Sequence, residues 1–386
     1  MNDVSANLTC RVVDDMEGWV ALRPDWEELL TSSAQSTPWQ SWEFLTHWWR
    51  HMADTNLLRL FVVERDARPC MILPLQIAKW PWLPGVPVYM LEPIGMIMDV
   101  NRPRLALGAH DSEAYACALA EIWRRRAEWH FIRLDEKPAD DPEVAVLREF
   151  AAARGLKFRQ GFSHVCPYLD LNQPWETYLK KRSARLRKNL RAAQRRLESL
   201  GPVSLHSFQS PEEVERGFEV VLGLYKRSWK LKKQVEHNES EGYQRFYRGL
   251  LESMARLGRA RILALYCGER PVAATIALTR GTTYYSAQIV HDIEFAHCSP
   301  GTLLEAFELE GLMKERRYET YDFLGSFLNN KLRWTDTATP TTHVFVMHRS
   351  MVNFIVDTYY FRLKPRIKPP LVRLLAKLRK RRTPGA

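Results

Sequence analysis

The sequence predicts a mixed α/β fold that is built twice along the chain, and three observations predict it. Apolar residues form a helical stripe in 44–52, and the same stripe returns 202 positions later in 246–254. Two short β-rich runs follow each of these helices. Both pairs of runs turn at an Arg-Pro pair, Arg68-Pro69 in the first half and Arg270-Pro271 in the second. Helix, strand, turn and strand keep one offset, which indicates two domains of one fold.

The other elements follow from local patterns. Each half opens with a short β-rich run and a helix, 9–13 before 19–30 and 203–208 before 211–229. Ser210 before Pro211 is typical of a helix start, because the hydroxyl accepts an orphan amide and proline suits the first turn. The later part of the second half predicts strand 283–290, helix 302–316, strand 320–324, a short helix near 329–334 and strand 343–347. This order favours a mixed sheet with helices on both faces.

The chain divides into four predicted parts. They are an N-terminal domain at 1–172, a basic connecting helix at 173–201, a C-terminal domain at 202–350 and a basic amphipathic tail at 351–386. The connecting helix is predicted because its apolar residues form one narrow stripe, which Gly201-Pro202 ends. The stripe consists of Leu179, Leu186, Leu190, Ala193 and Leu197.

Composition favours a folded, cytoplasmic protein. The 386 residues are 46% hydrophobic and 26% charged, which argues against collagen-like, low-complexity and disordered classes. No run of the sequence offers the roughly 20 mostly apolar residues that cross a bilayer, and the first residues lack a secretory pattern. The six cysteines lie far apart, without CxxC or a matching histidine spacing. This predicts reduced thiols and neither a disulfide framework nor a metal site.

Positive charge is concentrated in two segments. Residues 180–197 hold nine Lys and Arg, residues 361–386 hold ten, and neither segment contains an acid. A helix so charged repels itself, which favours a phosphate-bearing partner such as a lipid-linked sugar, an acyl-CoA, a charged tRNA or the bilayer itself. In the tail, leucines at 371, 374, 375 and 378 share one helical face, which predicts peripheral contact with an anionic membrane. The alternatives are a solvated tail or nucleic-acid binding.

Motifs for nucleotide hydrolysis, dinucleotide binding, serine hydrolysis and zinc proteolysis are missing, since the sequence has no GxxxxGK[ST], GxGxxG, GxSxG or HExxH. One group could aim backbone donors at an anion. It is Ser299, Pro300, Gly301 and Thr302, which follow a predicted strand and open a predicted helix. A helix start offers amide donors and the positive end of the dipole, which suit a phosphate. Ordinary helix capping is the alternative.

Five stretches together resemble a known family. They are PWQSWEFLTHWW at 38–49, KKRSARLRKNLRAAQRRLE at 180–198, YYSAQIVHD at 284–292, SPGTLLEA at 299–306 and YDFLGSFLNNKLRW at 321–334. With them the chain resembles the tandem-GNAT acetyltransferases linked to cellulose and exopolysaccharide synthesis (CelD/BcsL-like), which are related to the FemAB peptidoglycan aminoacyltransferases. The resemblance extends over nearly the full length except the tail after about residue 350. It implies two tandem GNAT-like domains joined by a basic helix.

The resemblance also implies roles for individual residues. Ser299, Pro300, Gly301 and Thr302 would hold the phosphates of acetyl-CoA or another acyl-CoA, with no metal. Tyr285, Asp292, Asp322, Lys331 and Trp334 would line the acceptor side. The sequence departs from the pattern twice: only Gly301 stands for the usual Arg/Gln-x-x-Gly-x-Gly/Ala loop, and Asn330-Lys331 replaces the Tyr-Lys of relatives. The acid that this tyrosine would supply is therefore missing.

Direct acyl transfer needs a base and an oriented acceptor, without a covalent enzyme intermediate. His291, Asp292 and Glu305 are the candidate bases, with Asp322 and Lys331 as further catalytic candidates. From the connecting helix, Arg187, Lys188 and Arg191 are candidates for binding a phosphate-bearing substrate.

Two other groups favour structural interpretations. Glu43, His47 and His51 share a helix face, but the equivalent helix at 244–254 has no such ligands, which argues against a metal site. The neighbouring tryptophans, which could stack sugars or bases, fit a core stripe better. They are Trp39, Trp42, Trp48 and Trp49.

Three functions remain open at this point. The first is an acyltransferase that moves an acyl group, acetyl above all, from acyl-CoA to an amine or hydroxyl of a cell-envelope polysaccharide precursor. The second is FemAB-like transfer of an aminoacyl group from tRNA to a peptidoglycan precursor, although no long heptad-patterned hairpin is present. The third is a non-catalytic scaffold, which the missing tyrosine at Asn330 favours. The expected location is the cytoplasm, with peripheral association at the inner face of the membrane.

Overall fold

The computed structural model describes residues 7–33, 36–80, 87–96, 104–228, 240–325 and 328–363. The first half contains β1 (Leu8–Val13), α1 (Met16–Ala21), α2 (Arg23–Ser32), α3 (Trp42–Met52), β2 (Leu57–Arg65), β3 (Arg68–Lys79), β4 (Tyr89–Pro93), α4 (Ser112–Arg124), β5 (Phe131–Pro138), α5 (Pro142–Ala153) and β6 (Lys157–Asp170). Helices α6 (Trp175–Lys181) and α7 (Ala184–Glu198) then lead to the second half.

The second half repeats this order. It contains β7 (Val203–Phe208), α8 (Pro211–Lys226), α9 (Glu241–Arg256), β8 (Ala260–Cys267), β9 (Arg270–Arg280), β10 (Thr283–His291), α10 (Pro300–Glu315), β11 (Thr320–Asp322), α11 (Leu328–Lys331), β12 (Ala338–Met347) and α12 (Met351–Asp357). The predicted mixed α/β fold is confirmed. The two-residue turns of the equivalent hairpins are Asp66-Ala67 and Gly268-Glu269, so each Arg-Pro pair opens the second strand rather than forming the turn itself.

The twelve strands of the described residues form one sheet in the order β1-β2-β3-β4-β5-β12-β6-β11-β10-β9-β8-β7. In each half four antiparallel strands are followed by a fifth that is parallel to the fourth, β5 beside β4 and β11 beside β10. The duplication seen in the sequence is therefore a duplication of topology. Helices pack on both faces of the sheet.

The two halves exchange their last strands. Strand β12 comes from the second half but lies between β5 and β6, while β6 of the first half pairs with β11. The exchange joins the halves into one sheet, because each half supplies a strand that pairs with a strand of the other half. The domain boundaries near 172 and 202 stay a prediction.

Helices α3 and α9 pack against each other across the centre of the molecule. The rings of Phe44 and Phe246, which the 202-residue offset makes equivalent, meet edge to face with their centroids 5.5 Å apart. Nearby, His47 Nε2 lies 3.0 Å from Ser253 Oγ. Contact between equivalent residues indicates an approximate two-fold axis between the halves.

The basic connecting segment is two helices rather than the single predicted one. Arg182 adopts an extended backbone between α6 and α7, and Ser183 Oγ then accepts a hydrogen bond from the Leu186 amide to begin α7. The predicted stripe holds within α7, whose four buried residues are Leu186, Leu190, Ala193 and Leu197. They pack in one apolar cluster with residues of α10, so the connecting segment supports the second half directly.

Helix α12 and the π-helix Thr358–Leu363 that follows it cover part of the first half beyond β12. Buried Asp357 fixes this segment through ion pairs to Lys157 and Arg159 of β6. The predicted amphipathic helix around 371–378 lies outside the described residues. Within the described ranges, no helix is both long and apolar enough to cross a membrane.

Candidate functional site

A wedge opens in the second half of the sheet where β10 and β11 part. Thr283 to Tyr285 pair in parallel with Thr320 to Asp322. Strand β10 continues to His291, whereas β11 ends at Asp322 and the chain turns away at Leu324, whose φ of 58° is left-handed. Because of this turn, the predicted strand 320–324 is shorter than expected. Among the described residues the pairing of β10 with β11 therefore ends at Tyr285 and Asp322, and the wedge is the place where the two strands diverge.

The start of α10 lies close to the far end of β10. Ser299 has a left-handed backbone (φ 51°, ψ 48°), and its side chain makes no capping hydrogen bond. A Cβ at Gly301 would lie 3.5 Å from His291 Nδ1, so the histidine ring flanks the first turn of the helix. The structure thus brings His291 together with the predicted group at 299–302. This arrangement presents the positive end of a helix dipole beside the wedge.

Arg333 also approaches this helix start, and sequence reasoning missed it. Its Nη1 donates to Thr302 Oγ1 at 3.1 Å, and its Nε donates to the Asn330 carbonyl at 2.7 Å. The Asn330 side chain accepts a further hydrogen bond from the same guanidinium. Asn330 therefore positions an arginine. A guanidinium next to the positive end of a helix is favourable when an anion lies between them.

Glu305 lies one turn further along α10. Its Oε2 accepts a hydrogen bond from Trp334 Nε1 at 3.0 Å, and Trp334 is fully buried. The Trp334 carbonyl in turn accepts a hydrogen bond from the Tyr178 hydroxyl of α6 at 2.6 Å. Burial raises the pKa of Glu305 to about 7, against the opposing effects of the Trp334 hydrogen bond and of the Arg333 and Lys331 charges. A carboxyl group with this pKa can accept and release a proton near neutrality.

Glu308, an acid on the same helix that no sequence motif marks, is buried. Its two oxygens accept hydrogen bonds from the Tyr284 and Tyr321 hydroxyls, both at 2.6 Å. Burial raises the pKa of Glu308 above its usual range. Since Tyr284 belongs to β10 and Tyr321 to β11, Glu308 ties both strands to α10 where their pairing is about to end.

Asp322 and Lys331 shape the turn that ends β11. Asp322 is buried, and its Oδ1 accepts a hydrogen bond from the Leu324 amide at 2.8 Å. Lys331 Nζ donates to the carbonyls of Leu324, at 3.2 Å, and Gly325. Both predicted site residues therefore hold the wall of the wedge.

Tyr285 lies on the sheet face opposite Tyr284, against the first half. Its ring meets Trp39 edge to face, with the centroids 5.1 Å apart. Trp39, Trp42 and Trp48 are all buried, which confirms their predicted core role. Within the described part of the chain, no group of three or more His, Cys, Asp or Glu residues could hold a metal ion.

Asp292, a predicted base, accepts three hydrogen bonds that stabilise its ionised form. Its fully buried carboxylate accepts hydrogen bonds from Arg227 Nε at 2.8 Å, Arg270 Nη2 at 2.7 Å and the Glu294 amide at 3.0 Å. Burial alone would raise the pKa of Asp292, but the hydrogen bonds from Arg270, Glu294 and Arg227 outweigh it and hold the pKa below its ordinary value. Asp292 thus caps the 3-10 helix Ile293–Cys298, and its role as a base stays a prediction.

The three basic candidates on α7 differ in their surroundings. Arg187 Nη1 donates to the carbonyls of Lys180, at 2.8 Å, and Arg182, so it caps α6. Lys188 and Arg191 are exposed, although Arg191 Nε lies 3.4 Å from the Arg187 carbonyl. The geometry therefore leaves Lys188 and Arg191 as the better placed of the three to meet a partner from solution.

One protein family matches the part of the chain that contains these residues. Residues 184–331 match the family described as the acetyltransferase (GNAT) domain, a segment that contains the wedge and the start of α10. No curated protein matches the chain.

Solved structures share the fold over most of the chain. FemX is similar with a TM-score of 0.57 at 12% identity, over 86% of this chain and 98% of FemX. L-PGS from Bacillus licheniformis is similar with a TM-score of 0.51 at 14% identity, over 89% of this chain and 95% of the other. A conserved protein of unknown function from Bacteroides thetaiotaomicron VPI-5482 is similar with a TM-score of 0.54 at 10% identity, over 88% of this chain and 100% of the other. The chain has a GNAT-type fold, and the family match supports an acyltransferase at the level of the reaction class.

Proposed function

We propose that the protein transfers an acyl group, acetyl above all, from acyl-CoA to an amine or hydroxyl of a cell-envelope polysaccharide precursor. The observation that supports this best is the wedge between β10 and β11 together with the start of α10. An elongated donor with a phosphorylated end fits this shape, its phosphates at residues 299–302 and its acyl end between the strands. Arg333 adds a positive charge on the same side of the helix start.

The residues of the wedge support direct transfer. The acceptor nitrogen or oxygen attacks the thioester carbonyl, the new bond to carbon forms, and the carbon–sulfur bond breaks to release the thiolate of CoA. A backbone amide of β10 polarises the carbonyl oxygen. Glu305 accepts the proton that the acceptor loses, because burial raises its pKa to about 7, where it can take up and release a proton near neutrality. Trp334, Tyr178 and Glu308 keep Glu305 and both strands in place.

Two glycines of α10 provide a matched test of the donor site. At Gly301 a larger side chain grows toward the His291 ring, whereas at Gly311 no other atom lies within 4 Å of an added Cβ. We expect Gly301→Leu to weaken acetyl-CoA binding at least about tenfold by calorimetry, and Gly311→Leu to leave it unchanged. Both variants should unfold at urea concentrations close to that of the wild type. Unchanged affinity in a folded Gly301→Leu protein would contradict the proposed donor site.

Transfer of an aminoacyl group from tRNA is the second candidate. It is supported by the exposed cations of α6 and α7, which include Lys188 and Arg191 and lie beside α10. Thermal protection separates the candidates, since a ligand that binds only the folded state raises the melting temperature. Protection by acetyl-CoA supports the first function, and protection by aminoacyl-tRNA alone supports the second. Protection by neither would favour a scaffold without catalytic activity.

A further inference from the structure

Helix α12 presents an apolar face that no other part of the described chain covers. Met351, Phe354 and Ile355 are spaced i, i+3, i+4, and they are 77%, 62% and 41% exposed. The opposite face of the helix is anchored: Asn353 donates to the His348 carbonyl at 2.7 Å and to that of His130, and Val356 is buried. These contacts fix the rotation of the helix about its axis. The apolar side chains are therefore held outward.

An arginine cleft lies beside this helix. It is a shallow cavity of about 690 Å³, and its lining contains no carboxylate. Its four arginines are Arg124 and Arg126 at the end of α4, Arg154 after α5, and Arg349 two residues before Met351. Arg126 lies over the Trp123 ring at 5.0 Å, and Arg154 lies over the Phe150 ring at 4.5 Å. All four side chains are exposed at the surface where α12 begins.

We propose that the α12 face and the arginine cleft together dock on a bilayer that contains anionic phospholipids. Three outward apolar side chains on a short helix suit insertion among lipid headgroups, and the four arginines suit the phosphates around them. Glu121 pairs with Arg124 at 3.0 Å, but a second copy of the same face would still bring the other arginines together, and the cleft lining supplies no carboxylate. The chain after residue 363 adds nine Lys and Arg and no acid, so its charge favours the same surface.

The strand directions place the wedge toward the same end of the sheet. Strand β5 is antiparallel to β12, β12 to β6, and β6 to β11, so β11 and the parallel β10 run opposite to β5. The start of β5, which follows His130 and lies next to α12, therefore faces the same way as the carboxyl end of β10. Docking through α12 would turn the open end of the wedge toward the lipid surface.

Binding of the full-length protein to vesicles tests the proposal. We expect sedimentation with vesicles of phosphatidylcholine and phosphatidylglycerol at low salt, and little with pure phosphatidylcholine. The double variants Met351→Ser/Phe354→Ser and Arg126→Glu/Arg349→Glu should each lower the affinity at least about tenfold. Leu205→Ser and Arg216→Glu, at exposed positions on β7 and α8, are matched controls that should change it less than about twofold.

Three results would overturn the proposal. Vesicle affinity of both double variants equal to that of the wild type would show that the face takes no part in binding. If millimolar inorganic phosphate competes with vesicle binding while the Met351→Ser/Phe354→Ser protein keeps the wild-type vesicle affinity, the cleft is a site for a soluble anion instead. A wild-type dimer in ultracentrifugation that the Met351→Ser/Phe354→Ser substitutions abolish, together with no vesicle binding by the wild type, would show that the face joins two copies. Urea unfolding of each variant verifies that a lost signal comes from a folded protein.

Discussion

Replacing Asp292 with asparagine separates a structural role from a catalytic one. The carboxylate is fully buried and accepts hydrogen bonds from Arg227 and Arg270, whose side chains are 39% and 43% exposed. Breaking a buried ion pair costs about 3–5 kcal/mol, but solvent screens these arginines and asparagine keeps one acceptor oxygen. We therefore expect the free energy of unfolding to fall by about 2–3 kcal/mol near neutral pH. Urea unfolding followed by circular dichroism measures it.

The pH dependence of this loss has a definite sign. The pKa of Asp292 is lower in the folded than in the unfolded protein, so its ionised form stabilises the fold above the unfolded value of about 4. That contribution disappears as the pH falls through the folded pKa. The difference between wild type and Asp292→Asn should therefore shrink in acid.

A neighbouring carboxylate provides the control for Asp292. Glu294 shares Arg270 but is 68% exposed, so Glu294→Gln should cost less than about 1 kcal/mol. A loss for Asp292→Asn below about 1 kcal/mol, or one that does not change with pH, would refute the structural role. A folded Asp292→Asn protein with unchanged stability and reduced turnover would instead identify Asp292 as a base.

Two further substitutions test the site and the packing of the two halves. If Glu305 is the base, the rate of acyl transfer should rise with pH through about 7 and then level off, because the carboxylate form is required. Glu305→Gln should abolish this rise of the rate with pH. The same pH dependence in the Glu305→Gln protein would exclude Glu305 as the base. An added Cβ at Gly249 would lie 2.5 Å from the His47 ring, so Gly249→Ala should destabilise the protein by about 1–3 kcal/mol in urea unfolding. His47→Ala should recover most of that loss, whereas Gly311→Ala, in open space, should stabilise by about 0.5–1 kcal/mol.

The sequence predicts those features that local periodicity determines. The stripe containing Phe44 recurs at Phe246 because each helix buries one face, and both residues are buried in the structure. The stripe of α7 was predictable for the same reason. The break at Arg182 was harder to see, because Lys and Arg on both sides are compatible with a continuous helix. Its only local signal was Ser183, a good helix-capping residue at that point.

Long-range pairing accounts for what the sequence did not predict. The residues of β12 alternate between the two faces of the sheet whichever strand lies beside them, so nothing local specifies that β12 enters between β5 and β6. Arg333 reaches Thr302 across 31 positions, and Glu308 reaches Tyr284 across 24. Arg333, two residues after Lys331, and Glu308, one turn after Glu305, are visible in the sequence, but only the fold shows what they contact.

The two halves differ where the duplication predicts equivalent clefts. In the first half, α4 is capped by Asp111, whose carboxylate accepts hydrogen bonds from the Glu113 and Ala114 amides and pairs with Arg65 at 2.6 Å. This helix start already holds an anion of its own, so an anionic donor would meet repulsion there. Helix α10 begins with a serine that makes no side-chain cap, and its first turn has no acid. The charges at the two helix starts therefore favour donor binding in the second half alone, while the first half contributes Trp39 to the packing behind β10 and the swapped strand β6 beside β11.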